Sequence, residues 1–171
     1  MSSQRQPKAV VFYDTVFGNT EKVASALARG LRRYCEVDFQ AITEADPARL
    51  SGYDLIAVGA PTQGFTAHRP MKDFLSRLES KGLEGRLGFA FDTKIDSRLS
   101  GSAAKFIEER LGKLGLKMAR PRASAIVSGG TKDNVLREGE EARFEQIGAE
   151  MGAALAATGG RAGGAKAPVS L

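Results

Sequence analysis

Tryptophan is absent from this 171-residue chain, and cysteine and histidine occur once each. No apolar run approaches the roughly 20 residues needed to cross a bilayer. A lone Cys35 cannot close an internal disulfide, and with His68 as the sole histidine there is no cluster of zinc ligands. Cys35 is expected to pack as a small apolar residue at the start of a strand; only Arg32 and Arg33 stand near enough to activate its thiol. The opening MSSQRQPK lacks the apolar centre of a signal peptide, so the cytoplasm is the expected compartment. No Gly-Lys-Ser/Thr loop is present and no G-x-G-x-x-G follows the first strand, which removes the common triphosphate and dinucleotide fingerprints. A phosphoacceptor receiver would need an aspartate ending its third strand, where this chain has Gly59-Ala60-Pro61. Acidic residues are missing from both ends of the chain. Arg5, Lys8, Arg161 and Lys166 account for four of the five net positive charges, leaving the body near neutrality with no basic face for nucleic acid.

What remains is the composition of one soluble domain, 42% hydrophobic and 26% charged. The stretch Ala9–Thr20, AVVFYDTVFGNT, organises it. Its apolar run, Ala9 to Tyr13, is too short for a helix and apolar on both faces, as a strand covered on both sides must be. From Thr20 the apolar positions Val23, Leu27, Leu31 and Tyr34 fall on one helical face. The turn between offers hydroxyls at Thr15 and Thr20, the amide of Asn19, and Gly18 for close backbone approach, all at a helix N-terminus that favours an anion. Read plainly, Thr20 is also an ordinary helix cap.

Four further strand and helix pairs follow. CEVDFQ (35–40) alternates as a strand, and a short helix capped by Asp46 with Pro47 at its first position turns the chain back. YDLIAVG (53–59) is a buried strand ending in a long loop, 59–69, before a helix from Pro70 with Met71, Phe74, Leu75 and Leu78 inward. LGFAF (87–91) precedes a second long polar loop, 92–101, and Ser102 caps a helix with Ala104, Ile107, Leu111 and Leu114 on its inner side, stopped by Gly115. ASAIVS (123–128) and a helix over about 138–157 with Phe144, Ile147, Met151 and Leu155 inward complete the set. This predicts an α/β protein: a five-stranded parallel sheet, strand order 2-1-3-4-5, with helices on both faces over residues 9–157. Residues 1–8 are expected to form a flexible arm and 158–171, TGGRAGGAKAPVSL, a flexible basic tail. In that order the loops after strands one, three and four meet at the switch point, where ligands bind. Those are the three unusual polar loops of this chain.

The turn Thr15-Val16-Phe17-Gly18-Asn19-Thr20 resembles the phosphate loop of the flavodoxins. Gly59-Ala60-Pro61-Thr62, with Met71-Lys72-Asp73-Phe74-Leu75 after it, is similar to the family's second flavin-flanking loop and helix. The resemblance spans about residues 9–157 and looks like the short-chain form, because nothing interrupts strand five. It implies bound FMN: phosphate on Thr15 through Thr20, and the flavin ring between the loop at 61–68, with Pro61, Thr62, Gln63, Gly64 and Phe65, and the loop at 92–98, with Asp92, Thr93 and Lys94. It implies an electron carrier docking transiently with redox partner proteins, with no membrane insertion and no nucleic acid. Oligomeric state is not specified.

The chain departs from the family pattern in three places. Phe17 replaces the middle hydroxyl of the phosphate loop. With no Trp, and with Tyr13, Tyr34 and Tyr53 in strand or helix segments, the aromatic shield from the fourth-strand loop is missing, and Phe65 is left as the one ring-stacking side chain, unless it plugs the base of its own loop. Lys94 puts a cation where carriers of the family hold acids, which would make the flavin potential less negative, unless it points to solvent. A small oxidoreductase acting on NAD(P)H, a quinone or a porphyrinogen is the alternative, with His68 as proton donor and Arg69 steering an anionic substrate. An interaction module that has lost FMN is the third reading. The cluster Lys113, Lys117, Arg120 and Arg122 falls at the opposite end of the sheet and reads as a solvated face.

Overall fold

The computed structural model describes residues 5–78, 82–129 and 134–159. Its long strands are β1 (Lys8–Tyr13), β2 (Glu36–Ala41), β3 (Leu55–Gln63), β5 (Leu87–Ile95) and β7 (Ala123–Ser128). Short strands β4 (Thr66–Ala67), β6 (Lys117–Met118) and β8 (Val135–Leu136) are added at the margins. The helices are α1 (Asn19–Leu31), α2 (Arg69–Arg77), α3 (Ala103–Lys113) and α4 (Glu140–Ala157). The sheet order is β2-β1-β3-β5-β7-β8, parallel except for β8, which returns antiparallel on β7, and β4, which pairs antiparallel with β3. The five long strands thus take the expected 2-1-3-4-5 order, in a sheet of eight strands instead of five.

Alternation along the strands divides the interior into two cores. Val10, Phe12, Ile56 and Val58 face Met71 and Phe74 of α2 and Ile107 and Leu111 of α3. Ala9, Val11, Leu55, Ala57, Phe89 and Phe91 face Val23 and Leu27 of α1 and Phe144 and Ile147 of α4. Successive strand residues point to opposite faces, so an apolar run such as Ala9–Phe12 supplies both cores at once. α1 and α4 pack closely because glycines line their contact. A Cβ on Gly30 would lie 2.0 Å from the Glu145 carbonyl oxygen, and one on Gly148 would lie 2.2 Å from that of Leu27.

Several expected boundaries shift. α1 starts at Asn19 with Gly18 in the cap position, so Thr20 lies inside the helix and is not its cap. Its far end stops at Leu31, which leaves Tyr34 outside the helix and 42% exposed, off the inward face assigned to it. The segment after β2 forms two 3₁₀ turns, Ile42–Glu44 and Pro47–Gly52, in place of one α-helix; Asp46 caps the second through the Ala48 N–H at 3.0 Å. β3 and β5 run four residues farther than apolarity suggested, through Gln63 and Ile95, because their polar ends are still paired: Pro61 opposes Thr93. Leu78 is buried just past the end of α2.

The expected N-terminal arm is shorter than eight residues. Arg5 donates to the buried Asp54 carboxylate at 2.8 Å, the Lys8 N–H donates to its other oxygen at 2.9 Å, and Pro7 is buried. Residues 1–4 and most of the expected tail, 160–171, lie outside the described residues. Cys35 is buried, and its thiol is pushed up to about 11 by that burial, with the Asp54 charge adding to it, as befits an inert packing residue. Arg122 pairs with Glu108 at 2.9 Å and Arg120 with Glu150 at 3.6 Å, which fits the solvated-face reading of that cluster.

The glycine contact between α1 and α4 predicts a sharp penalty. Gly30→Ala drives a methyl group into backbone and is expected to cost about 3 kcal/mol, measured by urea unfolding. The same change at Gly112, where a Cβ meets nothing within 4 Å, is expected to be neutral or stabilising.

Candidate functional site

Between β1 and α1 the chain makes a tight turn whose backbone donors converge. Gly18 takes φ 87°, a conformation costly for any residue with a Cβ. The Gly18 N–H donates to Thr15 Oγ1 at 2.9 Å, closing the turn. The first intrahelical bond runs from the Lys22 N–H to the Gly18 carbonyl at 3.1 Å, so the N–H groups of Asn19, Thr20 and Glu21 have no partner in the helix. Those of Val16 and Phe17 have none among the described hydrogen bonds either. These donors form a cradle for an anion at the positive end of α1, with no cationic side chain on the turn itself.

The cradle forms one end of a cavity of about 450 Å³. Of the residues assigned to a ligand from sequence, Thr15, Val16, Phe17, Asn19, Thr20, Pro61, Thr62, Gln63, Gly64, Phe65, Thr93 and Lys94 line it. Gly18 shapes the turn without lining the cavity. Ile95, within the 92–98 loop expected beside the ring, lines it too, as do Ser100, Val127 and Asn134, which were missed. Val127 and Asn134 could not have been found, since only sheet order brings them to the first loop.

Asp92 is the clear departure from the assigned set. It is fully buried and does not line the cavity. Its Oδ2 accepts from Thr62 Oγ1 at 3.0 Å, Ser102 Oγ at 2.6 Å and the Ala104 N–H at 2.9 Å; Oδ1 has no partner among the described residues. Thr62 Oγ1 in turn accepts from the Ala103 N–H at 2.9 Å, and Ser102 Oγ accepts from that of Lys105 at 3.2 Å. The orphan donors of α3 are thereby satisfied, and negative charge lies at its N-terminus, where the dipole favours it. Asp92, which the resemblance put beside a ligand, lies within β5 and supports the first turn of α3, whose cap residue is Ser102.

The second loop is a two-residue hairpin. Gln63 opposes Thr66 and Thr62 opposes Ala67, with Gly64 at φ 55° and Phe65 at φ 72° between them. Positive φ at both positions is the type I′ pattern, whose second place usually goes to glycine. Phe65 is the sole described non-glycine residue held there, and its side chain is 71% exposed, so it does not plug its own loop. Its carbonyl oxygen accepts from the Ser102 N–H at 3.2 Å, and a Cβ on Gly101 would lie 2.1 Å from that oxygen. The hairpin and the loop after β5 are therefore interlocked.

Lys94 lines the cavity, half-buried, and makes no ion pair among the described residues. Thr20 and Thr93 hydroxyls, both buried, are 2.9 Å apart. His68 lies outside the cavity lining: its Nδ1 is 2.9 Å from Asp14 Oδ2, a close contact not aligned as a hydrogen bond. Burial pushes the Asp14 carboxyl up, and the His68 charge opposes that shift. Arg69 pairs with Asp73 at 3.5 Å on the surface.

The sequence profile of the family described as Flavodoxin matches residues 11–161. Among solved structures, a flavodoxin from the domain Archaea is 21% identical, with 86% of this chain and 98% of that one covered at a TM-score of 0.71. An oxidised flavodoxin 1 from Bacillus cereus is 21% identical over 84% and 96% of the two chains, at 0.69. Rubredoxin oxygen:oxidoreductase from Desulfovibrio gigas, 22% identical at 0.71, is matched over 89% of this chain but only 37% of its own length. At these identities the likeness to solved structures speaks for the fold.

Removing the buried carboxylate tests its structural role. Asp92→Ala leaves the first turn of α3 without its acceptor and is expected to cost about 3 kcal/mol, read as a lowered urea midpoint. Asp92→Asn, which keeps an acceptor, is expected to fall between.

Proposed function

The chain belongs to the flavodoxin family, and from that premise we propose that its cavity binds FMN and that the protein carries electrons between redox partner proteins in the cytoplasm. One observation carries the reading: Val16, Phe17, Asn19 and Thr20, whose N–H groups have no partner among the described hydrogen bonds, line one cavity at the N-terminus of α1. Such a cradle suits a phosphate dianion held by dipoles. When bound, FMN supplies reversible one- and two-electron chemistry, which the surrounding protein tunes.

The side chains of the cradle divide the work. Thr15 Oγ1 accepts from Gly18 and keeps its own proton free to donate to the phosphate. Thr20 and Thr93 share one proton between them, which leaves the other for the ligand. Thr62 is committed to α3 and contributes its position only. Phe65 and Ile95 offer apolar surface at the ring end, where Lys94 adds positive charge. A cation there favours the more negative, reduced side of the couple and shifts the potential upward. No helix among the described residues is long and apolar enough to cross a membrane.

The oxidoreductase reading is favoured by one feature: no tyrosine lines the cavity and the chain has no tryptophan, which leaves the ring end open to a small molecule. Against it, His68 is engaged by Asp14 away from the cavity lining. Electron carriage is the reading we adopt.

Absorbance and fluorescence titration with FMN is the first test, followed by stepwise reduction. Uptake with a stoichiometry of one, and no steady NAD(P)H consumption by the protein alone, is expected. Steady consumption would favour the oxidoreductase, and no uptake would leave an interaction module. Lys94→Ala is expected to lower the potential of the bound flavin by tens of millivolts; an unchanged potential would remove the role of Lys94.

A further inference from the structure

Asn134 precedes β8, and the antiparallel return of β8 on β7 brings it to the start of α1, 115 residues away in sequence. Val127 opposes Leu136, Ser128 opposes Val135, and the Arg137 N–H donates to the Ile126 carbonyl at 2.9 Å, so the backbone at Asn134 is fixed by the sheet. Its carbonyl oxygen accepts from Asn19 Nδ2 at 2.8 Å. That bond uses the backbone of Asn134 and would survive any side chain there.

The Asn134 side chain does no comparable structural work. It makes no hydrogen bond among the described residues, and its Oδ1 is shut away from solvent without a donor. A carboxamide placed to serve the fold would have that oxygen matched. What the side chain still has to offer is its NH₂, and the residue lines the same cavity as Val16, Phe17, Asn19 and Thr20, whose N–H groups are unpartnered among the described hydrogen bonds. The turn itself is one donor short, because Phe17 brings a phenyl ring, 53% exposed, where a hydroxyl would add a hydrogen bond.

Resting on the FMN reading above, we propose that Asn134 is a phosphate-binding residue: its amide NH₂ donates to the cofactor phosphate from the β8 side and supplies the donor that Phe17 does not. The phosphate site is then built from two segments far apart in sequence, clasped by the bond between Asn19 and Asn134.

Fluorescence titration of wild type, Asn134→Ala and Asn134→Asp with FMN and with riboflavin, which lacks the phosphate, tests this. For Asn134→Ala the Kd for FMN is expected to rise about tenfold, while that for riboflavin stays within about twofold, inside the spread expected of an unperturbed contact. Asn134→Asp, which sets a carboxylate against the phosphate, is expected to weaken FMN further and again to spare riboflavin. An unchanged Kd for FMN in Asn134→Ala, or equal weakening of both flavins, would overturn the assignment. A wild type that takes up riboflavin no less tightly than FMN would overturn it as well. Failure of the wild type to bind any flavin would sink the FMN reading and this inference with it, whereas FMN uptake indifferent to position 134 would sink the inference alone. Thermal melting of the apo variants, expected to match wild type because the Asn19 bond is to backbone, separates loss of a contact from loss of the fold.

Discussion

A buried carboxylate in the second half of β5 ties β3 to α3 at the cavity end of the sheet. Through Oδ2, Asp92 fixes Thr62 of β3, Ser102 before α3 and the first turn of α3 itself. A negative charge away from water is costly, and it is tolerated because donors and a helix dipole surround it. The consequences reach the cavity. Ser102 is also bonded to the Phe65 carbonyl, and Gly101 beside it allows the hairpin to approach. The hairpin and the loop after β5 are thus joined by backbone contacts beside a side chain that ties β3 to α3.

The turn at the other end of the cavity is built differently. The turn Asp14–Gly18 has no lysine or arginine, and its field comes from peptide dipoles held by the Gly18 conformation and the Thr15 hydroxyl. Fixed dipoles need no reorganisation when a dianion arrives, and they leave the charge on that ligand unneutralised by a mobile cation. Among the described residues, the one cation on the cavity wall, Lys94, belongs to β5. Charge that would stabilise phosphate and charge that would tune a redox couple are thus carried by separate elements.

The helices and strands were legible because their apolar periodicity is strong. Val10 and Phe12 on one face and Ala9 and Val11 on the other mark a doubly covered strand, and Ser102, followed by an apolar helical face, marks a cap. Strand ends were not legible, because Pro61-Thr62-Gln63 and Thr93-Lys94 look like loop by composition and become strand only through pairing: Pro61 with Thr93, Thr62 and Gln63 with β4, and Thr93 and Lys94 with β7. Asp92 shows the same limit in a side chain. Its sequence position is that of a ligand contact, and whether it faces cavity or helix depends on the pleat of β5 and the location of α3.

Read alone, the chain determined the α/β class, the anion-favouring turn after β1 and the family resemblance, since each rests on local pattern: periodicity, caps, a glycine at a turn. The tertiary structure decided which polar residues are spent on the fold and which are left for a ligand. Thr62 and Asp92 go to α3, His68 goes to Asp14, and Val127 and Asn134 reach the cavity from the far strands. Contacts over such separations depend on register and sheet order, and no local window of sequence contains either.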